Sequence, residues 1–530
     1  MLDLILEKGT IIDGSGRSRY AADVGIDSNE IVEIGDLFEV EAYQRINCTG
    51  LVICPGFLDM HSHSELMLLK KPSASPKIRQ GITTELLGQD GISVAPVSEK
   101  TIPQWKTQLA GILGDGEVEW TWRSIDDYLN RLNRRTAVNV AMLVPHGNLR
   151  AEVMGMENRE PTDQELTTMT RLLEESLQQG AFGMSTGLIY PPCCYAKTPE
   201  LIKLCEVVAR HEGIFVVHLR SEFDFIVEAV KEILEVGIAT QVPIHFSHMK
   251  VAGSANRPKL GEVLQLINAH IDKGMDITCD QYPYTAGSTT LGAVLPPWVY
   301  EGGVQKAIER LKDPKSRAEI RASIDQKGPF PWDNFIQAVG FENIFITDVP
   351  SEKNKNLIGK NLITAARMLE KDPYDFIFDL LVEENLGVSM VVFSIHEEDI
   401  TTIMKLPYQM VGTDGLLGGR PHPRAYGTYP RILGRYCREK EVLTLEEAIR
   451  KMTYLPAKRL GLKHEGLIEE GMRANITVFN PETVIDRATY EDPTQYPRGI
   501  EYVIVNGTLV VDEGEQREVL PGRAFRKGSV

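Results

Sequence analysis

Two histidines stand two residues apart in the stretch GFLDMHSHSE, residues 56–65, directly after a short apolar run. Side chains two residues apart point to the same face of a β-strand, whereas on a helix they point in different directions. His61 and His63 at the end of one strand could therefore grip a single metal ion. Polar turns also contain such short motifs, with a histidine that is merely hydrogen-bonded. Further candidate ligands elsewhere in the chain are therefore needed to support a metal site.

The middle of the chain alternates short apolar runs with amphipathic helical patterns. The runs are VICPGFLDM, ITTELLG, VNVAMLVPHG, AFGMSTGL, GIFVVHL, VPIHFSHM, MDITCDQYPY and YQMVGTDG. Two of the helical patterns between them are TDQELTTMTRLLEESLQQG and EFDFIVEAVKEILEVG. Eight strands that alternate with helices predict an α/β fold, a parallel (β/α)8 barrel of the TIM type.

The two ends of the chain show short strands separated by turns, and Asn506–Gly507 indicates a hairpin. We expect residues 1–54 and 461–530 to form one small β-sandwich domain, and residues 55–460 to form the barrel. The seventh and eighth strand candidates lie more than a hundred residues apart. Helical patterns around 304–325, 358–370 and 373–385 fall in this gap. They predict an insertion over about residues 286–405 that covers the barrel mouth and can serve as a lid.

Histidines and aspartates recur where the predicted strands end, at the rim where such barrels build their active sites. The residues are His61 and His63 after the first strand, Asp90 after the second, His218 at the fifth, His248 at the sixth and Asp414 at the eighth. A single histidine in such a place is more often a rim or core residue. Four imidazoles and two carboxylates from five strands are enough for one or two divalent cations, with a position left open for water.

Composition excludes several classes of partner. The 530 residues are 42% apolar and 25% charged, which is typical of a globular protein. A net charge of -17 without any Lys/Arg-rich run argues against nucleic acid. No apolar run is long enough for a membrane span, and the N-terminus lacks a signal-peptide pattern. Seven scattered cysteines indicate free thiols in a reducing cytoplasm, and formation of a homo-oligomer stays open.

The layout of these candidate ligands resembles that of the amidohydrolase superfamily. The flanking blocks look like those of the N-acyl-D-amino-acid deacylases, or D-aminoacylases, over nearly the whole chain. They are STGLIYPPCCYAKTPEL, HLRSE, SHMK, GTDG followed by HPRAYGTYPRILGRY, and MTYLPAKRLGL with GLIEEGMRANITVFNP. The resemblance implies a metal-dependent barrel enzyme with a small β-sandwich domain built from both chain ends. Its expected substrate is a small molecule, an N-acyl-D-amino acid, which it splits into a D-amino acid and a carboxylate.

The loop after the second strand departs from this family. Its members have Gly-Asn-Cys-Gly there, with a cysteine that can bridge two metals, whereas this chain has Gly88, Gln89, Asp90 and Gly91. The fourth strand, FGMSTGLIY, has no lysine that could be carboxylated to form a bridge. We therefore expect Asp90 to bridge through its two oxygens, and the alternative is that it only caps a turn. Zinc is the expected metal, as one or two ions, and the harder ligand admits manganese, iron or cobalt.

The remaining candidate residues have distinct expected roles. Asp414 is expected to take a proton from the attacking water and to pass it to the leaving amine. Lys250 lies two residues after His248 and is a candidate for the substrate carboxylate. Arg424 offers a bidentate fork for the same carboxylate or for an acidic side chain of the substrate. The resemblance supports both roles. Hydroxyl contacts are expected from Tyr190, Ser288 and Tyr282, with Tyr284 as the rival of Tyr282.

Two other functions stay open at this stage. One is the opening of a cyclic amide, as in dihydroorotases and hydantoinases, although STGLIYPP and HPRAYG argue against it. The other is a non-catalytic scaffold that has the barrel but has lost its metal ligands, whereas here the ligand set is present. The sequence does not fix the acyl group or the amino-acid side chain, and the D preference rests on the resemblance alone.

Overall fold

The structure is a computed structural model that describes residues 1–113, 118–326 and 332–528. The described residues form 21 β-strands and 18 α-helices, numbered here in chain order. The strands are β1 (Leu2–Ile11), β2 (Tyr20–Asp27), β3 (Glu30–Gly35), β4 (Ala42–Asn47), β5 (Val52–Pro55), β6 (Phe57–Asp59), β7 (Ile82–Leu87), β8 (Asn139–Met142), β9 (Val144–Pro145), β10 (Gly183–Gly187), β11 (Ile214–His218), β12 (Ile244–Phe246), β13 (Ile277–Gln281), β14 (Ala286–Thr290), β15 (Ile344–Asp348), β16 (Ser389–Phe393), β17 (Gln409–Val411), β18 (Ile476–Phe479), β19 (Ile500–Val505), β20 (Thr508–Asp512) and β21 (Glu515–Gln516). The helices are α1 (Glu65–Lys70), α2 (Ser75–Ile78), α3 (Ile102–Leu113), α4 (Ile125–Leu132), α5 (His146–Met154), α6 (Asp163–Gln178), α7 (Thr198–Arg210), α8 (Ile226–Thr240), α9 (Leu260–Ile271), α10 (Val304–Lys312), α11 (Pro314–Asp325), α12 (Phe335–Val339), α13 (Leu362–Met368), α14 (Pro373–Glu383), α15 (Glu397–Met404), α16 (Arg424–Arg431), α17 (Leu445–Met452) and α18 (Tyr454–Leu460).

Two parallel sheets form the centre of the molecule. One has the order β6-β7-β8, and the other has the order β9-β10-β11-β12-β13-β17. Only Leu143 separates β8 from β9, and the Met60 N–H after β6 donates to the Val411 carbonyl of β17 at 3.2 Å. These strands lie within the runs predicted from the sequence. The run VICPGFLDM contains two strands, because β5 joins a different sheet.

Helices cover the outer faces of the parallel strands, which explains why strands such as β10 and β11 are buried at every residue. The helix α6 begins with a capping box, in which the Thr162 hydroxyl and the Glu165 carboxylate each accept from the other residue's backbone N–H. Its apolar residues point inward, among them Leu173 and Leu177. No helix in the described part of the chain is long and apolar enough to cross a membrane.

Both ends of the chain contribute to one nine-stranded sheet. Its order is β21-β20-β19-β18-β5-β1-β2-β3, and β4 pairs with β1. The strand β1 is ten residues long and pairs with β2, β4 and β5. Asn506 and Gly507 connect β19 to β20 with φ angles of 48° and 77°, the left-handed values that a two-residue type I′ hairpin requires.

Between β13 and β17 the chain forms a layer of its own. Its helices include α10 and α11 in the predicted pattern at 304–325, α13 in 358–370 and α14 in 373–385. It also contains an antiparallel sheet of order β14-β16-β15, which the sequence analysis did not predict. A separate apolar core holds these elements together, with Leu311, Ile346 and Leu381 fully buried.

Candidate active site

Six ionisable side chains meet at the carboxyl ends of the parallel strands. They fall into two groups, in each of which one donor atom per residue lies within 4.8 Å of the others. The groups are His61, His63, Asp90 and Asp414, and Asp90, His218 and His248. All six residues were predicted as metal ligands from the sequence, and Asp90 belongs to both groups.

Distances between the donor atoms match the spacing of ligands around a metal ion. His63 Nε2 lies 3.3 Å from both His61 Nε2 and Asp414 Oδ1. Asp90 Oδ1 lies 3.6 Å from His248 Nε2 and 3.7 Å from His218 Nδ1. Ligand atoms about 2.0–2.2 Å from a tetrahedral ion lie roughly 3.3–3.6 Å from one another. The set of imidazole and carboxylate donors therefore has the geometry for divalent cations.

Unpaired polar atoms give a second reason to place cations here. Within the described residues, Asp90 Oδ1 and both ring nitrogens of His218 are buried without a hydrogen-bond partner. Buried polar atoms almost always have a partner, because leaving one unpaired costs free energy. A cation bound to each group would supply a partner for Asp90 Oδ1 and for one ring nitrogen of His218, so the residues present fit a metal centre.

Arg424 holds one oxygen of Asp414. Its Nη1 lies 2.9 Å from Asp414 Oδ2, and its Nη2 donates to the Ser288 carbonyl at 3.1 Å. Burial alone would raise the pKa of Asp414, but the Arg424 guanidinium and the neighbouring His61 keep it far below its ordinary value. Asp414 is therefore a carboxylate at neutral pH, and its other oxygen faces His63.

The five predicted substrate-binding residues line one cleft together with all the metal-ligand candidates except His61, and the empty space of this cleft, open solvent included, is about 590 Å³. They are Lys250, Tyr190, Ser288, Arg424 and Tyr282. The rings of Tyr190 and His218 make an edge contact with centroids 5.1 Å apart. Tyr284 packs against His422 outside the residues that line the cleft, so of the two rival tyrosines it is Tyr282 that faces it.

Glu222 also lines the cleft, although it was not predicted as a site residue from the sequence. Its Oε1 accepts from Lys250 Nζ at 2.6 Å and lies 3.0 Å from His248 Nδ1. Burial would raise the pKa of Glu222, but Lys250 and the nearby histidines lower it well below its ordinary value. Glu222 thus orients the His248 ring and the Lys250 ammonium. Glu222 lies four residues after His218, in HLRSE, and this proximity to a predicted ligand could have identified it from the sequence.

Asp280 is a second residue that sequence reasoning missed. Its Oδ2 lies 2.9 Å from His245 Nε2 and 3.6 Å from His61 Nδ1, and its Oδ1 accepts from the His248 N–H at 2.9 Å. A carboxylate behind a metal-binding imidazole fixes the orientation of the ring and increases its basicity. An aspartate inside the apolar run that forms β13 could have been identified from the sequence, because a buried carboxylate needs a charged or hydrogen-bonding partner.

Lys77 lies buried beneath the two strand ends that present His63 and Asp414. Its Nζ donates to Asp59 Oδ2 at 2.6 Å, to Ser62 Oγ at 2.8 Å and to Thr413 Oγ1 at 2.9 Å. This single ammonium therefore connects the segment after β6 with the segment after β17, and it fixes the separation of the side chains that follow them.

Replacing Lys77 with methionine is expected to lower the free energy of unfolding by roughly 3–5 kcal/mol, because it leaves buried carboxylates without their cation. Asp59 and Glu85, both within 3.2 Å of Lys77 Nζ, are at most 1% exposed. Urea denaturation measures the change. The control Lys315→Met removes a lysine that is 86% exposed and should change stability by less than about 0.5 kcal/mol. Equal effects of the two substitutions would contradict the role of Lys77.

Comparisons with known proteins agree with this geometry. The chain matches the amidohydrolase family over residues 44–511. It is 36% identical to a D-aminoacylase from Alcaligenes xylosoxydans xylosoxydans over 513 residues, which cover 96% of this chain and 95% of the relative. The match therefore extends over nearly the full length of both chains.

Two solved structures have the same α/β fold. One is N-acyl-D-glutamate deacylase from Bordetella bronchiseptica, complexed with zinc and a phosphonate inhibitor that mimics the tetrahedral intermediate of the reaction. It is 32% identical, with a TM-score of 0.84 over 99% of both chains. The other is a D-aminoacylase with a binuclear metal centre, 34% identical, with a TM-score of 0.85 over 99% of this chain and 100% of that one. The resemblance found in the sequence is confirmed: the chain belongs to the amidohydrolase family, in its group of D-aminoacylases and N-acyl-D-amino-acid deacylases.

Proposed function

We propose that this protein is a metal-dependent amide hydrolase that releases D-amino acids from their N-acyl forms. The observation that supports this most directly is the pair of donor groups that share Asp90, in a cleft that also presents Lys250 and Arg424. Of the relatives described above, one is an N-acyl-D-glutamate deacylase and the others are D-aminoacylases. The same chemistry in this chain needs a polarised carbonyl, a water nucleophile and a proton carrier, and the cleft has residues suited to each task.

For the architecture, we propose that the two parallel sheets close into one (β/α)8 barrel within residues 55–460. The single residue between β8 and β9 and the hydrogen bond between Met60 and Val411 support closure at both junctions. We further propose that residues 1–54 and 461–530 form the small β-sandwich domain, and that residues 286–405 cover the barrel mouth as an insertion.

We propose zinc as the metal, with one ion held by His61, His63, Asp90 and Asp414. A second ion would be held by Asp90, His218 and His248. Asp90 is suited to bridge, because its Oδ2 lies 3.5 Å from His63 Nε2 while its Oδ1 faces the second group. Bound zinc would supply an acidified water and a Lewis acid for the substrate carbonyl. The carboxylate is a harder ligand than a thiolate, so manganese, iron and cobalt also suit the site.

Asp414 is the residue that we propose as base and then acid. Arg424 fixes its Oδ2, and Oδ1 lies 3.3 Å from His63 Nε2, at the donor group. Oδ1 is therefore placed to accept a proton from the attacking water and to deliver it to the leaving nitrogen. Its low pKa keeps this oxygen deprotonated before the attack.

The substrate carboxylate has a defined place in this proposal. Lys250 Nζ and the Arg424 guanidinium both face the ring of Tyr282, at 5.9 Å and 4.4 Å from its centroid. A carboxylate between these two cations would form charge-assisted hydrogen bonds. The hydroxyls of Tyr190 and Ser288, which line the same cleft, would add neutral contacts to the substrate.

The cysteines support the cytoplasmic location that we propose. All seven are free and buried. Free thiols persist in reducing compartments, whereas secreted proteins tend to pair them.

A hydrolysis screen of N-acetyl D- and L-amino acids tests the proposed function. We expect D substrates to react at least about 100-fold faster than their L counterparts, because a built pocket discriminates at the transition state. A chelator should abolish the activity, and added zinc should restore it. Hydrolysis of dihydroorotate or hydantoins in place of linear amides would support the cyclic-amide alternative. Protein that contains no stoichiometric metal and hydrolyses none of these compounds would instead be a scaffold.

A further inference from the structure

A second cavity adjoins the cleft and is not used by the chemistry described above. Its empty space, including the part open to solvent, is about 580 Å³, and it shares Ile112, Ile189 and Tyr190 with the cleft. Its other lining residues include Ile92, Leu295, Val304 and Leu386. The side-chain N–H of Gln108, which also lines it, donates to the Pro191 carbonyl at 2.6 Å, and the Gln108 Oε1 has no hydrogen-bond partner among the described residues. This cavity, the apolar chamber, therefore offers mainly hydrocarbon surface to whatever enters it.

The strand β14 runs along the cleft from its carboxylate-binding end to the apolar chamber. Ser288 accepts from Arg424 through its carbonyl, and the Thr289 hydroxyl is bonded to the Tyr190 hydroxyl at 2.8 Å. The next residue, Thr290, already lines the chamber. At about 3.3 Å per residue, the distance along the strand from Ser288 to Thr290 is only about 7 Å. The chamber therefore begins within about 7 Å of the carboxylate-binding end, and a medium-length acyl chain that leaves the cleft beside Tyr190 can extend into it.

The geometry also indicates which half of a substrate points toward the chamber. The leaving nitrogen must lie near Asp414, and Arg424 and Tyr282 adjoin Asp414 on that side. Tyr190 packs instead on His218, which belongs to the other donor group. With the amide carbonyl between the two groups, the amino-acid half lies toward Tyr282, and the acyl half lies toward Tyr190 and the chamber beyond it.

We propose that the apolar chamber binds the distal part of a straight-chain acyl group, so that the preferred substrates carry medium-chain fatty acyl groups and not acetyl. This inference rests on the proposed deacylase function and specifies its substrate class. Each methylene that moves from water into an apolar cavity strengthens binding by up to about fourfold. An octanoyl group that places several methylenes in the chamber gains far more than an acetyl group.

A chain-length series of one D-amino acid tests the proposal. With N-acetyl, N-butanoyl, N-octanoyl and N-decanoyl D-methionine, we expect kcat/KM to rise by at least about 30-fold from acetyl to octanoyl. The variant Ala293→Phe fills the chamber from a residue outside the catalytic cleft. It should abolish the octanoyl advantage and leave N-acetyl hydrolysis within about twofold of the unmodified protein, as expected for a change remote from the reacting groups. The control Ala293→Ser should keep the advantage.

Product inhibition provides a readout that does not depend on the folding of a variant. Octanoate should inhibit N-acetyl hydrolysis at least about tenfold more strongly than butanoate, because it buries more methylenes. A flat chain-length series in an otherwise active enzyme would overturn the chamber proposal and leave the deacylase function standing. If kcat/KM rose for N-acetyl-D-2-aminodecanoate but not for the N-octanoyl substrates, the chamber would bind the amino-acid side chain, and the chamber proposal would be overturned as well. If no N-acyl-D-amino acid is hydrolysed, the deacylase function fails. Calorimetric titration then tests the chamber separately: tighter binding of octanoate than of butanoate would support it, and equal binding would overturn it.

Discussion

Replacing Asp414 with asparagine is expected to lower kcat by about a thousandfold, while the protein keeps most of its metal. The amide has almost the shape of the carboxylate, but it cannot accept a proton from water at neutral pH. Five other metal-ligand candidates remain, namely His61, His63, Asp90, His218 and His248. Steady-state kinetics and elemental analysis of the same preparation measure the two effects separately.

The control for this experiment is Asp13→Asn. Asp13 is also buried and ion-paired with an arginine, since its Oδ2 lies 2.7 Å from Arg17 Nη2, but it belongs to the loop after β1. We expect this control to retain kcat within about twofold, as for a change remote from the chemistry. An Asp414→Asn enzyme that keeps a tenth of its kcat with full metal content would rule out Asp414 as the proton carrier. Complete loss of metal would show that ligation is its main task.

Strand positions were predictable from the sequence because the parallel strands lie in short, mostly apolar runs that alternate with helical patterns. β10, β11 and β13 are buried at every residue and lie inside AFGMSTGL, GIFVVHL and MDITCDQYPY. The strand β14 was not predictable in this way. Its sequence, AGSTT, is short, small and weakly apolar, and pairing with β16 in a layer made by a distant part of the chain stabilises it.

The same distinction applies to the site. The histidines and aspartates that the structure places in the two donor groups stand at strand ends, where residue type and position alone suggested a role. Lys77 gave no such signal, because it lies on the short helix α2 and its burial depends on packing beneath β6 and β17. Residues that act through other residues depend on long-range contacts, and a single sequence does not show those contacts.

Asp90 is the residue whose replacement should change the metal content most. Changing it to alanine removes a donor from both groups at once. We expect the loss of at least one metal ion per chain and a fall in kcat/KM of more than about 100-fold. Mutating a residue that only hydrogen-bonds a metal ligand already lowers metal affinity or activity by about 10- to 100-fold, and Asp90 is a ligand candidate itself. Elemental analysis and kinetics with N-acyl-D-amino acids provide the measurement.

The variant Asp90→Cys is the matched comparison, because it replaces the carboxylate with a thiolate, which is also a ligand. A thiolate favours zinc over the harder cations, so this variant should keep zinc and lose activation by manganese relative to the unmodified protein. Asp90 has a φ of 56°, a strained value that the surrounding loop imposes on any residue there, so the alanine and cysteine variants share the same backbone requirement. If the alanine variant bound as much zinc as the cysteine variant, Asp90 would not be a ligand, and the carboxylate would serve only to shape the turn after β7.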